Sequence, residues 1–210
     1  MFRALFRKSD TEQTQAPTAN EHHTRPEGTD MSRLPLIQPE SATGAAAELL
    51  AGVQKALGVT PNMTKAMANS PAVLKGYLGF SGALGEGSLS APERERIALL
   101  VAQDNGCDYC LSAHSYLATN VAKLDDSETA AARRGKSADA KAQAVLTLAD
   151  AVLRTKGGIN DADAHNARAA GLTDGEIAEV IANVALNVFT NFLNKGAGTE
   201  IDWPVVRHDN

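Results

Sequence analysis

Apolar and polar positions along the chain recur at intervals of three and four, so the predicted elements are helices throughout. Leu49, Leu50, Val53 and Leu57 share one face of a helix from about Ser41, which Gly58 stops. Pro61 opens a short helix to about Ala68. Ser70-Pro71 then starts another, carrying Val73, Leu74, Tyr77, Leu78 and Phe80, which Gly82, Gly85 and Gly87 are expected to interrupt. Ser90-Ala91-Pro92-Glu93 forms a capping box for a helix to about Gln103, with Ile97, Leu100 and Val101 inward. Asp104, Asn105 and Gly106 end that helix and start the next, which runs to about Ala122.

The second half repeats the same signals. Helices are expected from Asp126 to about Arg134, from Ser137 or Asp139 to about Thr155, and from Asn160 through Ala169. A further capping box, Thr173-Asp174-Gly175-Glu176, opens the last and longest helix, with Ile177, Val180, Ile181, Val184 and Val188 at helical spacing. Asn183, Asn187, Asn191 and Asn194 make a second stripe along it, either a polar exposed face or the lining of a site or oligomer contact. No strand-like alternation occurs, so the fold class is all-α.

Composition agrees. Aromatic residues are only 4% of the 210 positions, which suits close-packed helices better than strands. A net charge of −5 gives no electrostatic footprint for nucleic acid or an anionic membrane surface, and neither is expected as a partner. No run of eighteen apolar residues predicts a membrane span, and Met1 to Lys8 lacks the apolar core and cleavage site of a secretory signal, so a cytoplasmic protein is the simplest expectation. Residues 1–30 are too poor in apolar side chains to offset the entropy of ordering and read as a disordered tail, in which His22 and His23 are solvated rather than metal-bound. Residues 31–210 form the helical domain. Gly135-Lys136-Ser137 resembles the end of a phosphate-binding loop, but position 130 is alanine and no strand precedes it, so no nucleotide or other cofactor is assigned.

The chemistry concentrates between Glu95 and His114. Cys107 and Cys110 are the only cysteines; His114 follows the second by four residues and Glu95 precedes the first by twelve. On a helix, Cys107, Cys110 and His114 share a face. A helix start beneath the cysteines favours a thiolate, through its free N–H groups and its dipole. Taken alone, Glu95 reads as an exposed first-turn carboxylate. Three readings compete for the pair. A structural disulfide closing so short a loop adds little stability. A zinc site would use Cys107, Cys110 and His114 with water or His165 as the fourth ligand, but no second close ligand pair exists, and no metal is assigned. A redox pair needs one thiolate to attack an oxidant and a second thiol to resolve the product, with His114 managing the proton.

The block Glu95, Cys107-x-x-Cys110, His114 strongly resembles the core motif of the AhpD-like alkylhydroperoxidases within the carboxymuconolactone decarboxylase family. The similarity extends from about Arg33 to Val206 and includes Asn187-Val188-Phe189-Thr190-Asn191 and Asp202-Trp203-Pro204. The resemblance implies a helical fold assembling as a homo-oligomer, a trimer or a hexamer. It also implies a peroxidatic Cys110, a resolving Cys107, and Glu95 and His114 in a proton relay. The implied substrate is a hydroperoxide, and the implied reductant an external dithiol of lipoyl or thioredoxin-like kind. Decarboxylases of the family lack the cysteine pair, so the resemblance favours the peroxidase branch; a non-peroxidase member of the fold, a decarboxylase or isomerase-like enzyme or a redox sensor, is the alternative. One position departs from the pattern: Tyr109 stands where a second histidine precedes the attacking cysteine. With a pKa near 10 it is not a base at neutral pH.

Overall fold

The computed structural model describes residues 32–209, and the tail expected at residues 1–30, with His22 and His23, lies outside them. Nine α-helices make up the described chain, with no strand among the described residues. They are α1 (Gly44–Leu57), α2 (Asn62–Met67), α3 (Pro71–Leu84), α4 (Ala91–Asp104), α5 (Asp108–Asn120), α6 (Asp126–Ala132), α7 (Ala140–Thr155), α8 (Asp161–Ala169) and α9 (Asp174–Ala197). The caps fall where the sequence places them. Ser90 with Glu93, and Thr173 with Glu176, close reciprocal capping boxes, and Asp125, Asp139 and Asn160 cap α6, α7 and α8. The glycines of α3 differ from expectation. Gly82 stays helical, like Gly76 and Gly79, because each glycine costs a helix only about 1 kcal/mol, which tertiary packing overrides, and the helix ends at Leu84 with Gly85 as its C-cap.

Helix α4 is the hub and packs against α5, α6, α7 and α9. Its run Ile97 to Ala102 is apolar at every position, which leaves no polar face to turn outward. The structure buries the whole run rather than the three positions the spacing singles out. Ile97, Leu100 and Val101 enter a core with α7, α8 and α9, built on Val145, Leu146, Ala149, Val180 and Val184. Leu99 and Ala102 face the other way, into a second core with Cys107, Tyr109, Cys110 and Leu111. The dithiol thus sits inside packed structure.

Helix α9 alone among the described helices has the length and apolarity to cross a membrane, but its inner side is buried against α4 and α7 as in a core helix. Its asparagine stripe is buried too, which overturns the exposed-face reading of Asn183, Asn187, Asn191 and Asn194. Asn183 and Asn187 donate back to carbonyls one turn earlier, so part of the stripe satisfies itself within the helix. On the outer surface, Phe80 and Phe189 border a shallow apolar groove of about 230 Å³ between α3 and α9.

After α9, residues 199–209 run back over the start of α5. Asp108 binds Arg207 Nη1 at 2.8 Å and His208 Nδ1 at 2.7 Å, while Ser112 exchanges hydrogen bonds with Val206. His208 Cδ2 would stand 3.3 Å from a Cβ at Gly106, whose φ of +58° already favours glycine.

Candidate active site

Helix α5 begins at the cysteine pair. Gly106 breaks from α4 in the left-handed region and Cys107 becomes the N-cap, its Sγ accepting the Cys110 N–H at 3.4 Å. A thiol takes the place a Ser or Asp side chain usually fills. Cys107 and Cys110 are free and buried, and their sulfurs lie 2.7 Å apart, sharing a hydrogen bond. One turn further on, His114 Nδ1 is 2.8 Å from Glu95 Oε2. Glu95 is therefore no solvated first-turn carboxylate. Its side chain is 16% exposed and spans from α4 to α5.

These neighbours divide the acidity of the pair unequally. The hydrogen bond from the Cys110 thiol lowers Cys107 against its burial, and the Cys110 N–H, His114 and Lys195 add to the effect. Cys110 moves the opposite way. Burial pushes its thiol up, the adjacent Cys107 adds to the rise, and the amides of Asn194 and Asn191 work against it. In the reduced pair the first thiolate therefore forms on Cys107. At His114, burial opposes the charged ring, but the Glu95 carboxylate and Cys107 outweigh it and raise the imidazole above 6.5. The site is an acid–base pair beside a dithiol, able to hold a thiolate and to supply a proton to a departing oxygen.

Tyr109 has a different task. Its hydroxyl accepts Met63 N–H at 3.1 Å and Trp203 Nε1–H at 3.3 Å, tying the start of α2 and the C-terminal segment to α5. Burial, with Asp202 nearby, pushes the phenol well above its usual 10. The same Asp202 caps α2, taking the Asn62 N–H at 2.7 Å.

Among the described residues no group of three or more His, Cys, Asp or Glu side chains is arranged to hold an ion, and His165 is exposed on α8. The structure brings Glu95 against His114 and Cys107 against Cys110, whereas sequence reasoning left Asn191 and Asn194 between an exposed face and a site lining and gave no role to Asn105 or Lys195. Lys195 Nζ reaches the Asn105 carbonyl at 2.5 Å, and Asn194 Nδ2 donates to Cys110 Sγ at 3.3 Å. The buried asparagine stripe was the one signal that pointed to them.

The all-helical fold, with two buried thiols at a helix start beside a carboxylate–imidazole pair, is similar to that of AhpD-like proteins. Residues 71–152, which include Glu95, Cys107, Cys110 and His114, match the model of the carboxymuconolactone decarboxylase family. The match covers α3, α4, α5 and α6 and most of α7, so the similarity to that family takes in the helices that carry the site. The chain's fold is similar to an alkylhydroperoxidase AhpD core, an uncharacterized peroxidase-related protein from Ralstonia eutropha, at TM-score 0.73 and 23% identity over 83% of this chain and 94% of that one. An uncharacterized peroxidase-related protein from Silicibacter is similar at TM-score 0.69 and 25% identity, over 83% and 93%. The debrominase Bmp8 in its apo form shares the fold at TM-score 0.66 and 21% identity, over 83% and 93%. No curated protein matches the chain in sequence.

Proposed function

We propose that this protein is a dithiol peroxidase that reduces hydroperoxides through Cys107 and Cys110, with Glu95 and His114 as the proton relay. The observation that carries the reading is the contact of two free, buried thiols one turn from the Glu95–His114 pair. The resting thiolate on Cys107 takes the Cys110 proton across the 2.7 Å contact as substrate arrives. Cys110 sulfur attacks one peroxide oxygen, the O–O bond breaks, and the leaving alkoxide takes a proton from His114. Sulfur is oxidised to the sulfenic acid and the peroxide is reduced to an alcohol. Cys107 sulfur then displaces hydroxide from the Cys110 sulfenic acid. The disulfide forms, hydroxide leaves as water with a proton, and an external dithiol restores both thiols.

Single-cysteine variants test this with a sulfenic-acid trap after one equivalent of an organic hydroperoxide. Trapping on Cys110 in Cys107→Ser, together with loss of both thiols in the unmutated protein, supports the reading. Trapping only on Cys107 in Cys110→Ser would exchange the two roles, and survival of both thiols would defeat the peroxidase. The debrominase fold neighbour favours a second reading, in which the same pair reduces a halogenated aromatic compound. Halide release from bromopyrroles, without peroxide consumption, would select it.

A further inference from the structure

Two buried amides on α9 converge on Cys110, and both lie outside the segment matched to the family. Asn194 Nδ2 donates to Cys110 Sγ at 3.3 Å, and the Asn191 amide favours the charged form of the same sulfur. Asn191 is 0% exposed and Asn194 3%. Asn191 is held in place from α4, since Asn105 Nδ2 donates to its Oδ1 at 3.0 Å. Asn105 is itself fixed at the end of α4, where Lys195 binds its carbonyl. After these bonds, Asn191 Nδ2 and Asn194 Oδ1 remain without a well-formed partner. A buried, unpaired donor and acceptor carry their full desolvation cost and call for an occupant. A hydroperoxide group is complementary to them, since it offers oxygens that accept and one O–H that donates.

We propose that Asn191 and Asn194 are catalytic residues acting on Cys110. The Asn194 N–H holds the sulfur as thiolate and then as sulfenate, while Asn191 Nδ2, set in place by Asn105, and Asn194 Oδ1 orient the incoming –O–O–H. The inference rests on the peroxidase reading for its substrate, but its claim about the sulfur stands apart. The step balances as before: an S–O bond forms, the O–O bond breaks, the electron pair leaves on the alkoxide, and His114 returns the proton. The amides hold charge and exchange no electrons.

The test uses the full chain with Asn194→Leu and Asn191→Leu, and Asn194→Ser as the partial rescue. Iodoacetamide alkylation of Cys110, followed by peptide mass mapping across pH 6–10, reads the sulfur directly. The expected result is an upward shift of the Cys110 profile in both leucine variants and about tenfold slower alkylation at pH 7, the loss expected for about one unit of pKa. Asn194→Ser should recover part of the loss, which a packing role would not produce. Leucine variants with the parent helix content and a superimposable profile would overturn the proposal. Should they fail to fold, the side-chain amide NMR signals of Asn191 and Asn194 in the unmutated protein decide. Movement with the Cys110 titration supports the cradle, and their indifference to it overturns it. Hydroperoxide consumption separates the two claims. An amide-dependent Cys110 profile without turnover sinks the peroxidase and keeps the cradle, whereas undiminished turnover in a folded Asn194→Leu sinks the cradle alone.

Discussion

Glu95 Oε2 lies 2.8 Å from His114 Nδ1, joining the helix that forms the hub of the fold to the helix that carries both cysteines. The carboxylate fixes the ring and favours its charged form against the cost of burial. Glu95→Gln keeps the shape and removes the charge. Turnover with an organic hydroperoxide is expected to fall by about 10²-fold, the scale of a general acid–base contribution. Unchanged turnover in the folded variant would remove the pair from the mechanism.

The same pair sets a dependence of stability on pH. The native pKa of His114 is raised above its ordinary 6.5. The stabilisation is therefore complete below about pH 6.5 and is lost as pH rises through the native value. Cys107 runs the other way: its lowered native pKa stabilises above the ordinary 9.0, and that stabilisation is lost as pH falls through the native value. Urea unfolding of Cys107→Ser isolates the histidine. Its stability advantage over Cys107→Ser with His114→Gln should shrink between pH 6 and pH 9, and a constant difference would show that Glu95 does not hold the charge.

Tyr109→Phe separates architecture from chemistry. The change leaves Met63 N–H and Trp203 Nε1–H without their acceptor. The expected cost is about 1–3 kcal/mol of stability for the unsatisfied buried groups. Thiol reactivity toward hydroperoxide should stay within about twofold of the parent, because the hydroxyl bonds α2 and the C-terminal segment. A large loss of reactivity with little loss of stability would return Tyr109 to the proton path.

Asp108 is the anchor of the C-terminal segment. His208 and Arg207 overcome the effect of burial and hold its carboxyl down to about 2. Its stabilising contribution is therefore present above the ordinary 3.8 and fades as pH falls through about 2. Asp108→Asn should expose residues 199–209 to limited proteolysis at neutral pH. Cleavage no faster than in the parent would mean that Ser112 and Gln103 suffice to hold the segment.

Much of this was legible in the residues. Five of the nine described helices announced themselves by a cap, because Ser90, Asp125, Asp139, Asn160 and Thr173 act on backbone groups only three residues away. The Cys107, Cys110 and His114 face was legible for the same local reason. Glu95 was not, because its partner is nineteen positions distant on another helix, and only the resemblance drew it in. The asparagine stripe was visible but ambiguous. Whether it faced water or sulfur depended on how α9 crosses α4 and α5, which no spacing within α9 encodes. Tyr109 could be read as a weakened relay member until Met63 and Trp203 were seen to claim its hydroxyl.

The position of Cys107 at the first turn of α5 also couples electron transfer to the backbone. Its sulfur caps the helix best as an anion, and the Cys110 N–H, His114 and Lys195 all favour that state. A sulfur–sulfur bond removes the anion, so these contacts reward the reduced protein alone. By thermodynamic linkage they should raise the reduction potential of the couple and make its oxidised form eager to take electrons from a donor. The helix start that holds the Cys107 thiolate thus also weights the couple toward its reduced form.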